Sequence, residues 1–276
     1  MTLRKGHIWT ANKLDFLEAY LPAFQRACKA FWTPEHSNTY YVDGFAGPGR
    51  NNIHGQVRAG SPLIAAGIRP RFKHSFLVEA DAAAHAQLVQ NLAEPEFAEV
   101  RPHIDIRRGD FNREVDLILP QLRGGLPAFF FLDPEGLELD WETVRKIGQR
   151  PKADLFILIS GSGVLRCSAL SLPQHHDGVT RFYGHERWRQ ALHGDALDTA
   201  SQIGKKRFET AIELYVEGLT GLGFTHVDQF LIAANSRKAE MHALVFASKN
   251  GTAIKIAQHV LKKLDKNRRG TQQSMF

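Results

Sequence analysis

Four acidic residues stand where they could grip one ligand together: Asp43, Glu79, Asp110 and Asp133, each closing a short β-rich run. The first opens Asp43-Gly44-Phe45-Ala46-Gly47-Pro48-Gly49, spaced acidic-x-x-x-Gly-x-Gly. Backbone without side chains lets a ligand come close, and ligands of open α/β sheets bind outside the carboxyl ends of the strands. The spacing is not the Gly-x-Gly-x-x-Gly of dinucleotide folds, whose third glycine packs a helix under a pyrophosphate. An acid at the head of such a loop suits a ligand carrying a positive group. Glu79, after the second run, is placed to accept from both hydroxyls of a ribose. Asp110-Phe111 offers an acceptor for an adenine amino group and a ring to cover the base. A single acid at a strand end is most often a helix cap or a solvated terminus. Four at successive strand ends, with a glycine loop under the first, point instead to a shared site.

For the acids to converge, the runs before them must be neighbouring parallel strands. Residues 39–44, 75–79, 104–108, 128–132 and 153–159 predict five strands, the third less apolar and so nearer an edge. Helices alternate with them. Gly60-Ser61-Pro62 predicts a helix start with Ser61 as N-cap and Pro62 in the first turn. Asp81 caps a helix running to about Leu92, and further helices are expected over 113–122 and 141–148. The polar residues 51–59 read as a loop. Ahead of the first strand, Leu14, Leu17, Leu21, Phe24, Ala27 and Phe31 fall at helical spacing over 10–31, with Pro22 expected to kink or split that helix.

After Ser160-Gly-Ser-Gly163 the periodicity lapses, and 164–200 reads as a partly helical, lid-like insertion over the strand ends. A helix over 203–222 returns to the core. Residues 224–234 and 241–248 read as strands whose short polar connection favours an antiparallel hairpin. A last helix over 253–264 leads into a tail expected to be disordered. The fold class is therefore α/β, a doubly wound and mostly parallel seven-stranded sheet with an antiparallel C-terminal hairpin. Residues 1–276 form one domain, with 1–35 as an N-terminal helical extension and 164–200 as the insertion.

With 43% hydrophobic residues and no apolar run of membrane-spanning length, the 276-residue chain has the composition of a soluble globular protein. Its N-terminus lacks an apolar signal core, and Cys28 and Cys167 form neither a metal spacing nor a disulfide framework, so a reducing cytoplasm is expected. His175, His176 and His185 lack further ligands at a recognisable spacing, so no metal is expected. The formal net charge of +6 is compatible with a polyanionic partner. RNA or DNA could be held by the arginines and aromatics of 164–200 and by the tail residues Lys262, Lys263, Lys266, Arg268 and Arg269. A protein partner is the other candidate.

The order of these motifs resembles that of class I S-adenosylmethionine-dependent methyltransferases. More narrowly the chain is similar to the three-Cys-motif partner proteins (TcmP), a methyltransferase-like group. The likeness rests on Tyr41-Val-Asp-Gly-Phe-Ala-Gly-Pro-Gly-Arg50, Gly60-Ser-Pro-Leu63, Phe131-Leu-Asp-Pro-Glu-Gly136 and Ala243-Leu-Val-Phe-Ala-Ser-Lys249, with the amphipathic start and the Phe-terminated tail. It spans nearly the whole chain and is weakest over 164–200. The loop, the Gly-Ser-Pro helix start and the Asp-Pro pair also resemble the adenine-N6 methyltransferases of large-subunit ribosomal RNA. That resemblance implies a cofactor held at Phe45, Ser61, Glu79, Asp110 and Phe111, and a catalytic acid at Asp133. Lys13 lies near where a related family places a cofactor contact.

The expected cofactor is thus S-adenosylmethionine, leaving as S-adenosylhomocysteine. Its binding residues would be Asp43, Gly44, Phe45, Gly47, Gly49, Ser61, Glu79, Asp110 and Phe111, with Asp133 and Pro134 catalytic. A carboxylate bonded to an amine both orients it and stabilises the positive charge developing on nitrogen as a methyl group arrives. The expected activity is therefore N-methylation of a nucleic-acid base. One departure stands out: amino-group methyltransferases carry Asp/Asn-Pro-Pro-aromatic, whereas this chain has Asp133-Pro134-Glu135-Gly136. The base-stacking aromatic is missing from its usual place, with Phe182, Tyr183 or Trp188 as candidate replacements. A non-catalytic member binding nucleic acid or a protein, or a methyltransferase acting on a small molecule, are the alternatives.

Overall fold

The computed structural model describes residues 4–6, 8–53, 55–193, 200–233 and 241–273. The chain enters through strand β1 (Arg4–Gly6) and helix α1 (Ile8–Ala27), then forms β2 (Ser37–Asp43), β3 (Arg50–Ile53) and β4 (Gln56–Ala59). There follow α2 (Ser61–Gly67), β5 (Phe72–Glu79), α3 (Ala82–Leu92), β6 (Ile104–Arg108), α4 (Phe111–Ile118), β7 (Ala128–Leu132), α5 (Trp141–Gly148) and β8 (Ala153–Ser160). Helices α6 (Gly161–Cys167), α7 (His176–Tyr183), α8 (Arg187–His193) and α9 (Ala200–Gly221) lead to β9 (His226–Ala233), β10 (Met241–Ser248) and α10 (Gly251–Gln273).

Seven strands form one sheet in the order β6-β5-β2-β7-β8-β10-β9. The first five are parallel, and β10 runs antiparallel to both β8 and β9. The order reverses at β2, so β5 and β7 flank it and the loops after β2, β5, β6 and β7 open side by side. Alternation divides the core between the two faces. Tyr40, Val42, Phe130 and Leu132 pack under α4 to α9, while Tyr41, Phe129 and Phe131 pack under α1, α2, α3 and α10. Strands buried on both faces read as continuous apolar runs, which is why Ala128–Leu132 was legible.

Several expectations require correction. Residues 51–59 are not a loop: β3 and β4 form an antiparallel hairpin, and β1 joins β3 in parallel to make a second, three-stranded sheet. No apolar alternation announced it. Gly55 turns at φ +84°, its N–H donates to Asn52 Oδ1 at 2.9 Å, and Arg58 pairs with Asp15 and Glu18 of α1. Pro22 does not split the first helix, which runs unbroken from Ile8 to Ala27. An internal proline costs roughly 3 kcal/mol. Aromatic packing offsets it: Phe16 stacks on Phe156 at 4.6 Å and Tyr20 lies 5.2 Å from Phe129.

Ser61 is not the N-cap but the first residue of α2, whose cap is Gly60 without a side-chain bond. The helix expected over 113–122 starts at Phe111, capped by Asp110, and gives way to a 3-10 turn at Leu119, just before Pro120. The C-terminal helix continues to Gln273 where a disordered tail was expected. The connection between β9 and β10 lies outside the described residues.

Candidate functional site

Asp43 ends β2 and is fully buried behind the glycine loop. Its carboxyl accepts from Tyr41 Oη at 3.0 Å, from the Phe45 N–H at 3.3 Å and from the Ser61 hydroxyl. Burial pushes its pKa up to about 7 in spite of those three bonds, and the nearby Asp133 carboxylate adds to the rise. Asp43 therefore acts on the site through the loop it holds. The loop itself is set by glycine: Gly47 and Gly49 have φ of +65° and +86°, which side-chain-bearing residues avoid. A Cβ on Gly44 would stand 2.7 Å from the Phe111 ring and 3.0 Å from Leu132.

Glu79 ends β5 and ties two segments together. Its Oε2 accepts from the Gly47 N–H at 2.7 Å and its Oε1 from the Asp81 N–H at 2.7 Å. Each oxygen keeps a further lone pair for a ligand hydroxyl. Asp110 follows β6 and caps α4, accepting from the Asn112 N–H at 2.9 Å and side-chain amide at 3.1 Å, with its carboxylate exposed. Phe111 turns inward into the core, 6.0 Å from the half-exposed ring of Phe45. Asn112 then clamps the loop beyond β7. Its amide donates to the Glu138 carbonyl at 2.7 Å, and its oxygen accepts from the Asp140 N–H at 3.0 Å and the Thr143 hydroxyl at 2.8 Å.

Asp133 leaves β7 with Pro134 buried behind it, and its Oδ2 is ion-paired with Lys13 Nζ of α1. The two side chains are only 11% and 10% exposed. Sequence reasoning placed Lys13 only loosely near the site, because its partner lies 120 residues away and no local spacing signals the pair.

The residues brought together are unambiguous. Gly44, Phe45, Glu79, Asp110, Phe111 and Asp133 line one cleft of about 850 Å³ at the carboxyl ends of the parallel strands. Asp43, Ser61, Gly47 and Gly49 stand behind it as its support. Arg181 of α7 also lines the cleft and pairs with Asp140 at 3.4 Å, so the 164–200 segment reaches the site through one of the arginines singled out there. Its aromatics do not: Phe182 and Trp188 are fully buried and Tyr183 is 2% exposed. They are core residues and cannot replace the missing stacking ring, whose usual position holds Gly136.

Among the described residues no group of histidine, cysteine, aspartate and glutamate could hold a metal ion, and no helix is long and apolar enough to cross a membrane.

No protein-family model matches the chain, and no curated protein matches it in sequence. Solved structures do. Protein LPL1258 of Legionella pneumophila, described as a DUF519 protein, superposes with a TM-score of 0.54 at 10% identity, over 91% of this chain and 90% of that one. At that identity it shows the fold alone. An rRNA methylase from Streptococcus thermophilus matches at a TM-score of 0.42 and 12% identity, over 86% of this chain and 93% of that one. An O-methyltransferase from Bacillus cereus, in complex with S-adenosylhomocysteine, matches at 0.43 and 12%, over 86% and 81%. These last two likenesses are too slight to add to the fold, and none of the three assigns a substrate.

Proposed function

We propose that the chain is an S-adenosylmethionine-dependent methyltransferase that methylates a base nitrogen in nucleic acid. The observation that carries this reading is the convergence of the Gly44-Phe45 loop, Glu79, Asp110 and Asp133 on a single cleft of about 850 Å³. That volume suits a nucleoside-sized ligand, and the cleft sits where doubly wound sheets bind theirs. When bound, the cofactor supplies a methyl group activated on a sulfonium, and S-adenosylhomocysteine is what remains.

The chain's own residues divide the remaining work. Glu79 receives the ribose hydroxyls on lone pairs not used by Gly47 and Asp81. Asp110 accepts from the adenine amino group, and Phe45 offers its half-exposed ring beside it. Glycines at 44, 47 and 49 let the backbone approach, while Asp43 and Ser61 hold that backbone from behind. Lys13 engages Asp133 Oδ2, leaving Oδ1 to receive the acceptor amine. There the carboxylate orients the nitrogen lone pair and stabilises the positive charge that grows on it. The lysine compensates a carboxylate that would otherwise be costly to enclose.

Incubation with methyl-labelled S-adenosylmethionine and total RNA or DNA tests the reading. Label should enter the nucleic acid, and Asp133→Asn should lower the rate at least ~100-fold with cofactor affinity little changed. Full activity in that variant would remove Asp133 from the reaction.

The buried state of Phe182, Tyr183 and Trp188, with Gly136 where the ring would stand, favours a second reading. Without a stacking ring at the acid, the cleft would serve a small-molecule acceptor or a binding role without turnover. Cofactor binding with no transfer to either nucleic acid supports it. The similarity to the TcmP group and a cytoplasmic location belong to the same proposal.

A further inference from the structure

Several cations of the described surface are paired with acids: Arg50 with Glu94, Arg58 with Asp15, Arg145 with Glu142, Lys146 with Asp116, and Arg187 with Glu217. The face where α10 packs against α1 differs. A groove of about 540 Å³ runs between these helices, lined by Ala19 and Ala23 of α1 and the aliphatic Ile256, Val260 and Leu264 of α10, and edged by Arg26, Lys255, His259 and Lys263. No acid lines it, and none of Arg26, Lys255 and Lys263 has an acidic partner among the described residues. Residues 255, 259 and 263 are four apart, so they fall on one side of α10 about 6 Å from each other along its axis.

The track has an end worth reaching. Helix α10 starts where β10 leaves the sheet beside Asp154, at the end opposite the cleft, and returns along α1. Helix α1 carries Lys13, which touches Asp133.

We propose that this groove holds the sugar–phosphate backbone of a single-stranded nucleic acid and leads it towards the cleft. Charge complementarity supports this occupant: Arg26, Lys255 and Lys263, without acidic partners among the described residues and with no acid between them, fit a chain with one anionic charge per residue. A membrane surface is disfavoured because the exposed large apolar residues among those described are Trp32, Val57, Leu117 and Leu170, none of which lines the groove. The inference rests on the proposed nucleic-acid substrate, and of the two surfaces expected from the sequence it drops the aromatics of 164–200 and joins the basic C-terminal residues to α1.

Fluorescence anisotropy of a labelled, mixed-sequence 20-nucleotide RNA, with DNA of the same sequence as a second arm, tests it. Wild-type protein should bind at least one strand with an affinity that falls steeply with salt. The double variant Lys255→Glu/Lys263→Glu should bind at least ~10-fold more weakly and with a shallower salt slope. Arg145→Glu, on the other face of the sheet, should stay within about twofold of wild type. Titration of the double variant with S-adenosylmethionine should match wild type, which shows the fold and the cleft intact. Equal strand binding by the double variant overturns the groove while leaving the methyltransferase reading standing. No binding of either strand by wild type, or binding of phosphatidylserine vesicles instead, overturns both the groove and the nucleic-acid substrate.

Discussion

Gly44 shows how tightly the cleft depends on single atoms. The Phe111 ring beneath it is fully enclosed and has nowhere to retreat, so one added methyl group must push the loop itself. Gly44→Ala should cost about 1–3 kcal/mol in urea unfolding, and it should weaken cofactor binding as the loop shifts. Unchanged stability would mean that the loop relaxes freely and does not define the site. The same scale explains what was legible. Acids at strand ends are visible as Asp43, Glu79, Asp110 and Asp133 because each follows a β-rich run. The roles of Tyr41 and Asn112 were not visible, since a hydroxyl under Asp43 and an amide clamping Asp140 and Thr143 carry no spacing signature.

Helix α1 links the N-terminal region to the cleft. Its apolar side is locked onto Phe129, Phe156 and Phe246, and that packing fixes where Lys13 meets Asp133. Lys13→Met should remove the cation and leave the carboxylate nearly enclosed. The expected loss is roughly 1–3 kcal/mol, below the ~3–5 kcal/mol of a fully buried pair because the carboxylate borders the cleft. Denaturant unfolding checks it, and a loss under about 0.5 kcal/mol would show the pair to be absent in solution. Among the elements, strands with two-sided burial and helices with caps were readable, as at Ala128–Leu132 and Asp81. The β3–β4 hairpin was not: its residues are polar, and it gains its order from β1 and from ion pairs to α1, both distant in sequence. Pro22 misled for a related reason, because tertiary packing overrode a local preference.

For the molecule as a whole, the sheet order brings four loops to one edge, and the same burial that builds the sheet leaves two carboxyls deep within it. Asp43 is raised to about 7, chiefly by burial, and Asp154 to about 6 for the same reason, though Ser248 bonds to it at 2.5 Å. A carboxyl whose folded pKa exceeds its unfolded value binds more protons when folded. Its contribution is therefore fully present below the unfolded pKa and is lost as pH rises through the folded one. Between about pH 4 and pH 7 these two groups should lower stability as pH increases. Thermal unfolding at pH 5 and pH 7 should show a smaller difference in Asp43→Asn or Asp154→Asn than in wild type. An identical difference would mean that neither carboxyl is raised.

Calorimetric titration of the purified protein with S-adenosylmethionine and S-adenosylhomocysteine bears most directly on the proposed function. Wild type should bind both at micromolar levels, and Glu79→Ala should bind at least ~10-fold more weakly, since it loses acceptors for the ribose and the anchor of Gly47. No binding of either compound by wild type, or undiminished binding in Glu79→Ala, would contradict the cofactor site built around the glycine loop.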